Sequence, residues 1–145
     1  MTRNLTLVDV FDSNLDFCRD RLRAYPLVRY IKNNGYTFEP IEPETTTAIY
    51  CYDSMVHFSP DIVESYLKDA ERILVPGGKA LFHHSNYPAP LDRNYGQNPH
   101  ARNHMTKELF SHLAFRNNLI ALESKVIDWG YDKELDCITL LQKPF

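Results

Sequence analysis

Apolar positions along the chain alternate between helical spacing and strand spacing. A helix is predicted after the N-cap residue Ser59, which precedes a proline, and its apolar stripe continues until Pro76-Gly77-Gly78. A second stripe follows the N-cap residue Thr106 and ends at Asn117. A third and shorter stripe follows the β-rich run at residues 5–10. The pattern therefore predicts three helices.

Short apolar and β-branched runs predict strands between and after these helices. The run at residues 48–52 is apolar or aromatic throughout, which favours a strand buried on both faces of a parallel sheet. The last two predicted strands are separated by only a few residues, which indicates an antiparallel hairpin. The predicted strands cover residues 5–10, 28–32, 48–52, 79–84, 120–127 and 136–141.

The order of these elements predicts an α/β fold. Alternating strands and helices favour a mostly parallel, Rossmann-like sheet with helices on both faces, which makes three layers. The terminal hairpin would add an antiparallel edge to this sheet. A chain of 145 residues can bury a sufficient core without disulfides, so we expect residues 1–145 to form one domain.

Charge and cysteine content narrow the class of function. A formal net charge of −3 argues against a nucleic-acid partner, which normally selects a basic face. The three cysteines lie far apart in predicted helices and strands, as is typical of buried thiols in a reducing compartment. No apolar run approaches the ~20 residues that span a bilayer. We therefore expect a cytoplasmic protein with neither a membrane nor a nucleic acid as its partner.

Several segments together resemble the class I S-adenosylmethionine-dependent methyltransferases, in particular those that act on small molecules. Residues 5–22 resemble the second strand and following helix of that family, and residues 48–58 resemble its fourth strand. The turn Asn33-Asn34-Gly35 resembles the adenine turn, and residues 76–82 resemble the helix-PGG-strand signature. The resemblance implies methyl transfer from S-adenosylmethionine to a small-molecule acceptor.

The family's first strand and its glycine-rich loop have no counterpart in this sequence. Family order would place both before Leu5, and all five glycines of the chain lie elsewhere. Glycine in that loop lets the backbone N–H groups approach a nucleotide ligand closely. The resemblance therefore implies an N-terminally truncated domain, which is either a fragment or a naturally reduced form that completes its sheet with a second copy or another protein.

The resemblance also assigns residues to the cofactor. Asp9 stands at the carboxyl end of the first predicted strand, where a carboxylate can accept both hydroxyl hydrogens of a ribose. Asn34 matches the position that accepts from the adenine amino group, although a plain turn asparagine explains it almost as well. The cofactor residues expected on this basis are Asp9, Asn34, Gly35, Tyr36 and Tyr52.

Three side chains are candidates for the base that takes a proton from the acceptor. His57 and Asp53 follow the strand at residues 48–52, and His84 ends the next strand, so all three are expected at the ligand-binding edge of the sheet. Because successive side chains of a strand point to opposite faces, we expect His84 to border the cleft and His83 to pack against a helix. For His57, the alternative is a structural bond at the start of the following helix.

The polar loop at residues 85–104 resembles the substrate-facing lid of the family. Arg93, Tyr95 and Arg102 are the expected substrate contacts, because two arginines could grip a carboxylate or a phosphate. The alternative is that the two arginines are solvated loop residues without a ligand. The six histidines have no recognised metal-ligand spacing, so no metal site is expected.

Two further hypotheses compete with methyl transfer. The first is a non-catalytic binding or assembly module that lost cofactor binding with its first strand. The second is a nicotinamide oxidoreductase, which needs the same missing glycine-rich turn and gains nothing from the PGG pattern. Whether the chain is a methyltransferase or a non-catalytic module, the missing first strand would leave backbone groups of the sheet unpaired. We therefore expect a homo-oligomer.

Overall fold

The computed structural model describes residues 4–145, whose internal contacts divide the chain into two units. The first unit ends at Glu42, and the second covers Pro43–Phe145. The single domain expected for residues 1–145 stays a prediction. The α/β class is confirmed by the elements of both units.

The first unit contains β1(Leu5–Asp9), α1(Asp12–Arg21) and β2(Val28–Lys32). The two strands are parallel, with Leu5 opposite Val28 and Asp9 opposite Lys32. Helix α1 buries Leu15, and β2 buries Ile31, which gives this unit a small apolar core. The parallel register brings the carboxyl ends of both strands to the same edge, where Asp9 lies.

The second unit contains a four-stranded sheet with two helices. Its strands are ordered β3-β4-β6-β5, in which β3 and β4 are parallel and β6 is antiparallel to both neighbours. The expected C-terminal hairpin is thereby confirmed. Its elements are β3(Thr46–Cys51), α2(Pro60–Ile73), β4(Leu74–Ser85), α3(Lys107–Arg116), β5(Ile120–Trp129) and β6(Asp132–Gln142).

The helices of the second unit begin as the sequence indicates. Ser59 is the N-cap of α2 with Pro60 in the first turn, and the Thr106 hydroxyl accepts a hydrogen bond from the N–H of Leu109 at the start of α3. The apolar stripe of α2 is buried, and Phe110 of α3 packs edge-on against Phe82 of β4. One face of β4 therefore contributes to the main apolar core.

Two details differ from the sequence-based expectations. Strand β3 is not buried on both faces, since the side chain of Tyr50 is 72% exposed, and it is an edge strand of its sheet. Helix α2 also ends before the PGG segment, since Leu74 is already extended and starts β4. Gly77 adopts a φ of +76° inside that strand, where the register with β3 shifts.

The described helices are short. Within residues 4–145, none of them is both long enough and apolar enough to cross a lipid bilayer.

Candidate active site

Asp9 ends β1 with its carboxylate at the start of α1. Its Oδ1 accepts a hydrogen bond from the N–H of Phe11 at 2.8 Å, and its Oδ2 accepts one from Nδ2 of Asn14 at 3.1 Å. Each carboxylate oxygen has a further lone pair. The carboxylate is thus oriented by the chain, half-buried, and still able to accept hydrogen bonds from a ligand.

The turn after β2 lies beside Asp9. The N–H of Asn33 donates to the backbone oxygen of Asp9 at 3.1 Å, and a Cβ added at Gly35 would lie 3.3 Å from Cγ1 of Val10. Gly35 has a φ of +82°, so this position requires glycine for its backbone conformation as well as for space. Tyr36 presents a side chain that is 52% exposed at the same turn.

Asn34 stabilises this turn. Its Oδ1 accepts hydrogen bonds from the N–H groups of Tyr36 at 2.8 Å and Thr37 at 2.9 Å. Asn34 therefore has the turn-stabilising role that is the alternative to adenine binding. A bond from an adenine amino group to the same oxygen would have to share it with two backbone donors. We call Asp9, Val10 and residues 33–36 the Asp9 cluster.

A buried charge network lies in the second unit, at the carboxyl end of β4. His83 and Asp136 are both fully buried, and Nε2 of His83 lies 3.0 Å from Oδ2 of Asp136. Nδ1 of His83 accepts a hydrogen bond from the backbone N–H of Asp53 at 3.0 Å. Because Nδ1 is an acceptor, the imidazole proton is on Nε2 and is donated to Asp136.

Arg102 binds the same carboxylate from the other side. Its Nε donates to Oδ1 of Asp136 at 2.9 Å and its second terminal nitrogen donates to Oδ2 at 2.6 Å, which is a bidentate pair. The guanidinium also donates to the backbone oxygen of His100 at 3.2 Å and lies 3.5 Å from Oδ1 of Asp53. We call His83, Asp136 and Arg102 the buried network.

The ionic state of Asp136 follows from these contacts. Burial raises the pKa of its carboxyl, but the hydrogen bonds from His83 and Arg102 and the positive charge of Arg102 outweigh burial, so the pKa lies below its usual value. A buried carboxylate without such partners would cost several kcal/mol. Asp136 is therefore a charged group that Arg102 compensates inside the protein.

Aromatic rings cover the buried network. The Tyr52 ring lies 4.5 Å from the His83 ring, and the Trp129 ring lies 5.3 Å from it, measured between centroids. The guanidinium of Arg102 stands 5.0 Å from the centroid of Trp129. Tyr52 is nearly half exposed, so it presents one side to solvent and the other to His83.

His57 lies in a short 3₁₀ helix, Met55–His57, and is exposed. Its Nδ1 lies 3.0 Å from the backbone oxygen of Ala101, to which it donates, because a carbonyl can only accept. This leaves Nε2 of the neutral ring with a free lone pair. His57 therefore combines exposure with an available basic nitrogen in a fixed tautomer, on the segment that directly follows β3.

Two sequence-based site assignments are corrected by these positions. His84, rather than His83, packs against a helix: its ring stacks on Phe110 at 3.7 Å, and both of its nitrogens are bonded, to the backbone oxygen of Ser85 and to Oγ1 of Thr139. Burial lowers the pKa of His84 to about 4. Arg102 is buried and its guanidinium is bound to Asp136, so this guanidinium is not available to bind a substrate carboxylate or phosphate.

The other loop candidates are not gathered at the network. Arg93 and Tyr95 are exposed in the segment between β4 and α3, and their proposed substrate contacts stay a prediction. Among residues 4–145, no group of three or more His, Cys, Asp or Glu side chains is arranged to hold a metal ion.

The sequence itself matches a family model described as a methyltransferase domain, over residues 1–82. That match covers more than half of the chain. The chain belongs to this methyltransferase domain family. A comparison with curated proteins finds no significant match.

Solved structures with the fold of this methyltransferase domain include three of about equal similarity. The N-methyltransferase NodS from Bradyrhizobium japonicum, in complex with S-adenosylhomocysteine, is 15% identical, with a TM-score of 0.72 over 98% of this chain and 67% of that one. Geranyl diphosphate C-methyltransferase from Streptomyces coelicolor is 14% identical, with a TM-score of 0.72 over 95% and 62%. The [4+2]-cyclase SpnF is 13% identical, with a TM-score of 0.74 over 97% and 66%. At these identities the likeness establishes the fold and not the reaction.

Asp136 and Trp129 are parts of the methyltransferase domain's second unit that the sequence analysis did not single out. A signal for Asp136 was present, since it is the one charged residue within the apolar run at residues 135–138. A charge in a buried strand requires a partner, and arginine in the preceding loop is a suitable one. Nothing in the local sequence indicates that Trp129 covers that pair.

Proposed function

We propose that this methyltransferase domain transfers a methyl group from S-adenosylmethionine to a small-molecule acceptor. The observation that carries the proposal is the Asp9 carboxylate, fixed at the carboxyl end of a parallel strand in a chain of methyltransferase family. One neighbour in fold is by name a methyltransferase of geranyl diphosphate, and two were crystallised with S-adenosylhomocysteine. These neighbours support both the cofactor and the class of acceptor.

The Asp9 cluster fits the nucleoside part of the cofactor. The half-buried carboxylate of Asp9 has lone pairs for two ribose hydroxyls, as carboxylates at this position do in dinucleotide folds. Val10 and Tyr36 are exposed apolar side chains beside the same turn, where they can pack against a flat base. Asp9, Val10 and Tyr36 are therefore the residues that we propose would hold the adenosine.

The methionine part of the cofactor has no comparable support in the described residues. Such a site uses a glycine between a strand and a helix, so that backbone N–H groups reach the ligand. The glycines here lie in other places: Gly35 in the turn after β2, Gly77 and Gly78 inside β4, Gly96 in the long loop, and Gly130 in the β5–β6 hairpin. We therefore propose that binding depends mainly on the nucleoside.

His57 is the proposed base for the acceptor. When bound, S-adenosylmethionine would supply an electrophilic methyl group on its sulfonium and leave as S-adenosylhomocysteine, while the acceptor that takes the methyl group gives up a proton. Nε2 of His57 can take that proton, because the bond from Nδ1 to Ala101 leaves Nε2 unprotonated in the neutral ring. The carboxylate of Asp53, which is nearly half exposed, is the second candidate. His84 is no longer a candidate.

Methyl transfer can be tested with S-adenosylmethionine that carries a labelled methyl group. We expect the protein to label the low-molecular-mass fraction of a cell extract, and His57→Gln to lower the rate at least about tenfold, since a positioned base contributes roughly 10²–10⁴ in rate. His112→Gln is a matched control, because His112 is exposed on α3. Label in protein or nucleic acid only would contradict the proposed acceptor class, and no label despite cofactor binding would favour the non-catalytic module.

We further propose a cytoplasmic, homo-oligomeric protein without a nucleic-acid partner. The cysteines are all free thiols, and Cys137 is buried, as suits a reducing compartment. Strand β3 is an edge of its sheet and exposes Tyr50, so its free backbone groups are available to pair with another chain. The net charge of −3 supports the absence of a nucleic-acid partner.

A further inference from the structure

Six described non-glycine residues of the second unit have left-handed backbone conformations, which such residues rarely adopt, and three of the six lie next to the buried network. These three are Asp53 with a φ of +53°, His100 with +49° and Ala101 with +52°. Each such residue costs about 1–3 kcal/mol and persists only where surrounding contacts impose it. The buried network makes hydrogen bonds to the backbone of Asp53 and of His100.

The contacts of the network reach both strained segments. His83 accepts the backbone N–H of Asp53, and Arg102 donates to the backbone oxygen of His100. Asp136 joins His83 to Arg102 through its two oxygens. A continuous chain of hydrogen bonds therefore links the segment after β3 to the loop before α3, across strands β4 and β6.

The loop segment in turn holds His57. Ala101 accepts from Nδ1 of His57, while Asn103 donates from its N–H to the oxygen of Val56 at 3.1 Å and from Nδ2 to the oxygen of His57 at 3.3 Å. The tautomer of His57 thus depends on where the oxygen of Ala101 lies. That position depends on the left-handed backbone at residues 100–101, beside Arg102.

We propose that His83, Asp136 and Arg102 form a positioning network that sets the tautomer of His57 and the backbone of Asp53 without touching the substrate. The part concerning catalysis rests on the proposed methyl transfer, since His57 and Asp53 are the acceptor-side groups of that proposal. The coupling itself is a property of the protein without ligands. It can therefore be measured independently of activity.

Two substitutions interrupt the network at different points. His83→Gln keeps a nitrogen donor in the place of Nε2 for Asp136, but its acceptor oxygen does not occupy the place of Nδ1, which accepts the Asp53 N–H. Arg102→Lys keeps the positive charge beside Asp136 but cannot also reach the oxygen of His100. His84→Gln is the matched control, because His84 is the neighbouring histidine on the same strand, is equally buried, and has no bond to Asp53 or Arg102.

The measurement is nuclear magnetic resonance of the ligand-free protein at a pH where His57 is neutral. In the unmodified protein and in His84→Gln, we expect the His57 ring to carry its proton on Nδ1 and the Asp53 amide to be protected from exchange. Arg102→Lys should convert His57 to a mixture of tautomers. His83→Gln should speed exchange of the Asp53 amide about tenfold, as for the loss of one hydrogen bond.

A purely structural role gives a different result. In that case His83→Gln and Arg102→Lys would lower the melting temperature as His84→Gln does, and would leave the His57 tautomer and the Asp53 exchange rate relative to other amides unchanged. That outcome would overturn the proposal. Should one of the two variants not fold, the other alone decides between these results.

A kinetic measurement separates this proposal from the proposed function. If labelled methyl transfer occurs, Arg102→Lys should lower kcat about tenfold, with the affinity for S-adenosylhomocysteine unchanged. An unchanged kcat would overturn the catalytic part of the proposal. If the unmodified protein transfers no methyl group while the His57 tautomer still follows Arg102, the proposed function fails and the structural coupling stands.

Discussion

At the scale of single residues, the histidine pair His83-His84 shows what a sequence can predict. Strand alternation correctly predicts that the two side chains point to opposite faces. Which face borders the cleft depends on whether α3 packs on the Phe82 side, and the local sequence does not contain that information. The prediction that His83 packs against a helix was therefore wrong, since His84 does so. Asp9 is different, because its position at a strand end follows from local pattern alone.

The burial of His84 predicts a pH dependence of stability. Its pKa is lowered from 6.5 to about 4, chiefly by burial. The unfolded chain binds a proton near pH 6.5 and the folded protein does so only near pH 4, so stability falls as the pH drops through that interval. Between about pH 7 and about pH 5, we expect this histidine to remove about 2 kcal/mol from the free energy of unfolding.

Urea unfolding at both pH values checks this. His84→Gln should lower the stability at neutral pH but show a weaker fall on acidification, by about the same 2 kcal/mol. The control His112→Gln, exposed on α3, should retain the full fall. An identical pH dependence in the unmodified protein and in His84→Gln would contradict the assignment.

At the scale of elements, the helix starts were predictable and the strand environments were not. Ser59 and Thr106 cap α2 and α3 as their residue types indicate. Strand β3 has an apolar sequence typical of a central strand, yet it is an edge strand of its sheet. The burial of a strand depends on the elements that pack beside it, and its own sequence does not determine these. The PGG segment places the end of the predicted helix at Val75, two residues after its observed end at Ile73, since Leu74 already belongs to β4.

The cap of α3 provides a test at this scale. Thr106→Ala removes the hydroxyl that accepts from the N–H of Leu109 at 3.1 Å, and should lower the free energy of unfolding by about 1 kcal/mol. Thr106→Ser keeps the hydroxyl and should cost less than half of that. Equal losses in both variants would show that the lost methyl group, and not the cap, determines the effect.

At the scale of the whole molecule, the alternation of strands and helices was sufficient to predict the α/β class and the terminal hairpin. The buried network was not predicted, because it joins residues 83, 102 and 136, whose spacing follows no helical or strand period. Charges buried in strands are the one sequence feature that points to such a network. The methyltransferase family is established by residues 1–82, and all three residues of the buried network lie beyond them.

The exposed edge of β3 makes the proposed oligomer testable. We expect light scattering at micromolar concentration to show a dimer or larger assembly. Tyr50→Glu should shift it toward monomer, because a charge on an edge strand opposes pairing. Tyr131→Glu adds the same charge at a fully exposed position of the β5–β6 hairpin and should leave the assembly unchanged. A monomeric unmodified protein that unfolds cooperatively would contradict the oligomer.

The proposed function depends above all on the adenosyl group binding at Asp9. Calorimetric titration with adenosine and with S-adenosylhomocysteine tests this directly, and the account predicts weak affinities that agree within about tenfold. Asp9→Ala should weaken both at least about tenfold, since it removes charge-assisted hydrogen bonds, whereas Asp12→Ala, one turn away and paired with Lys32, should leave both unchanged. S-adenosylhomocysteine binding that is tight and indifferent to Asp9→Ala would contradict the account.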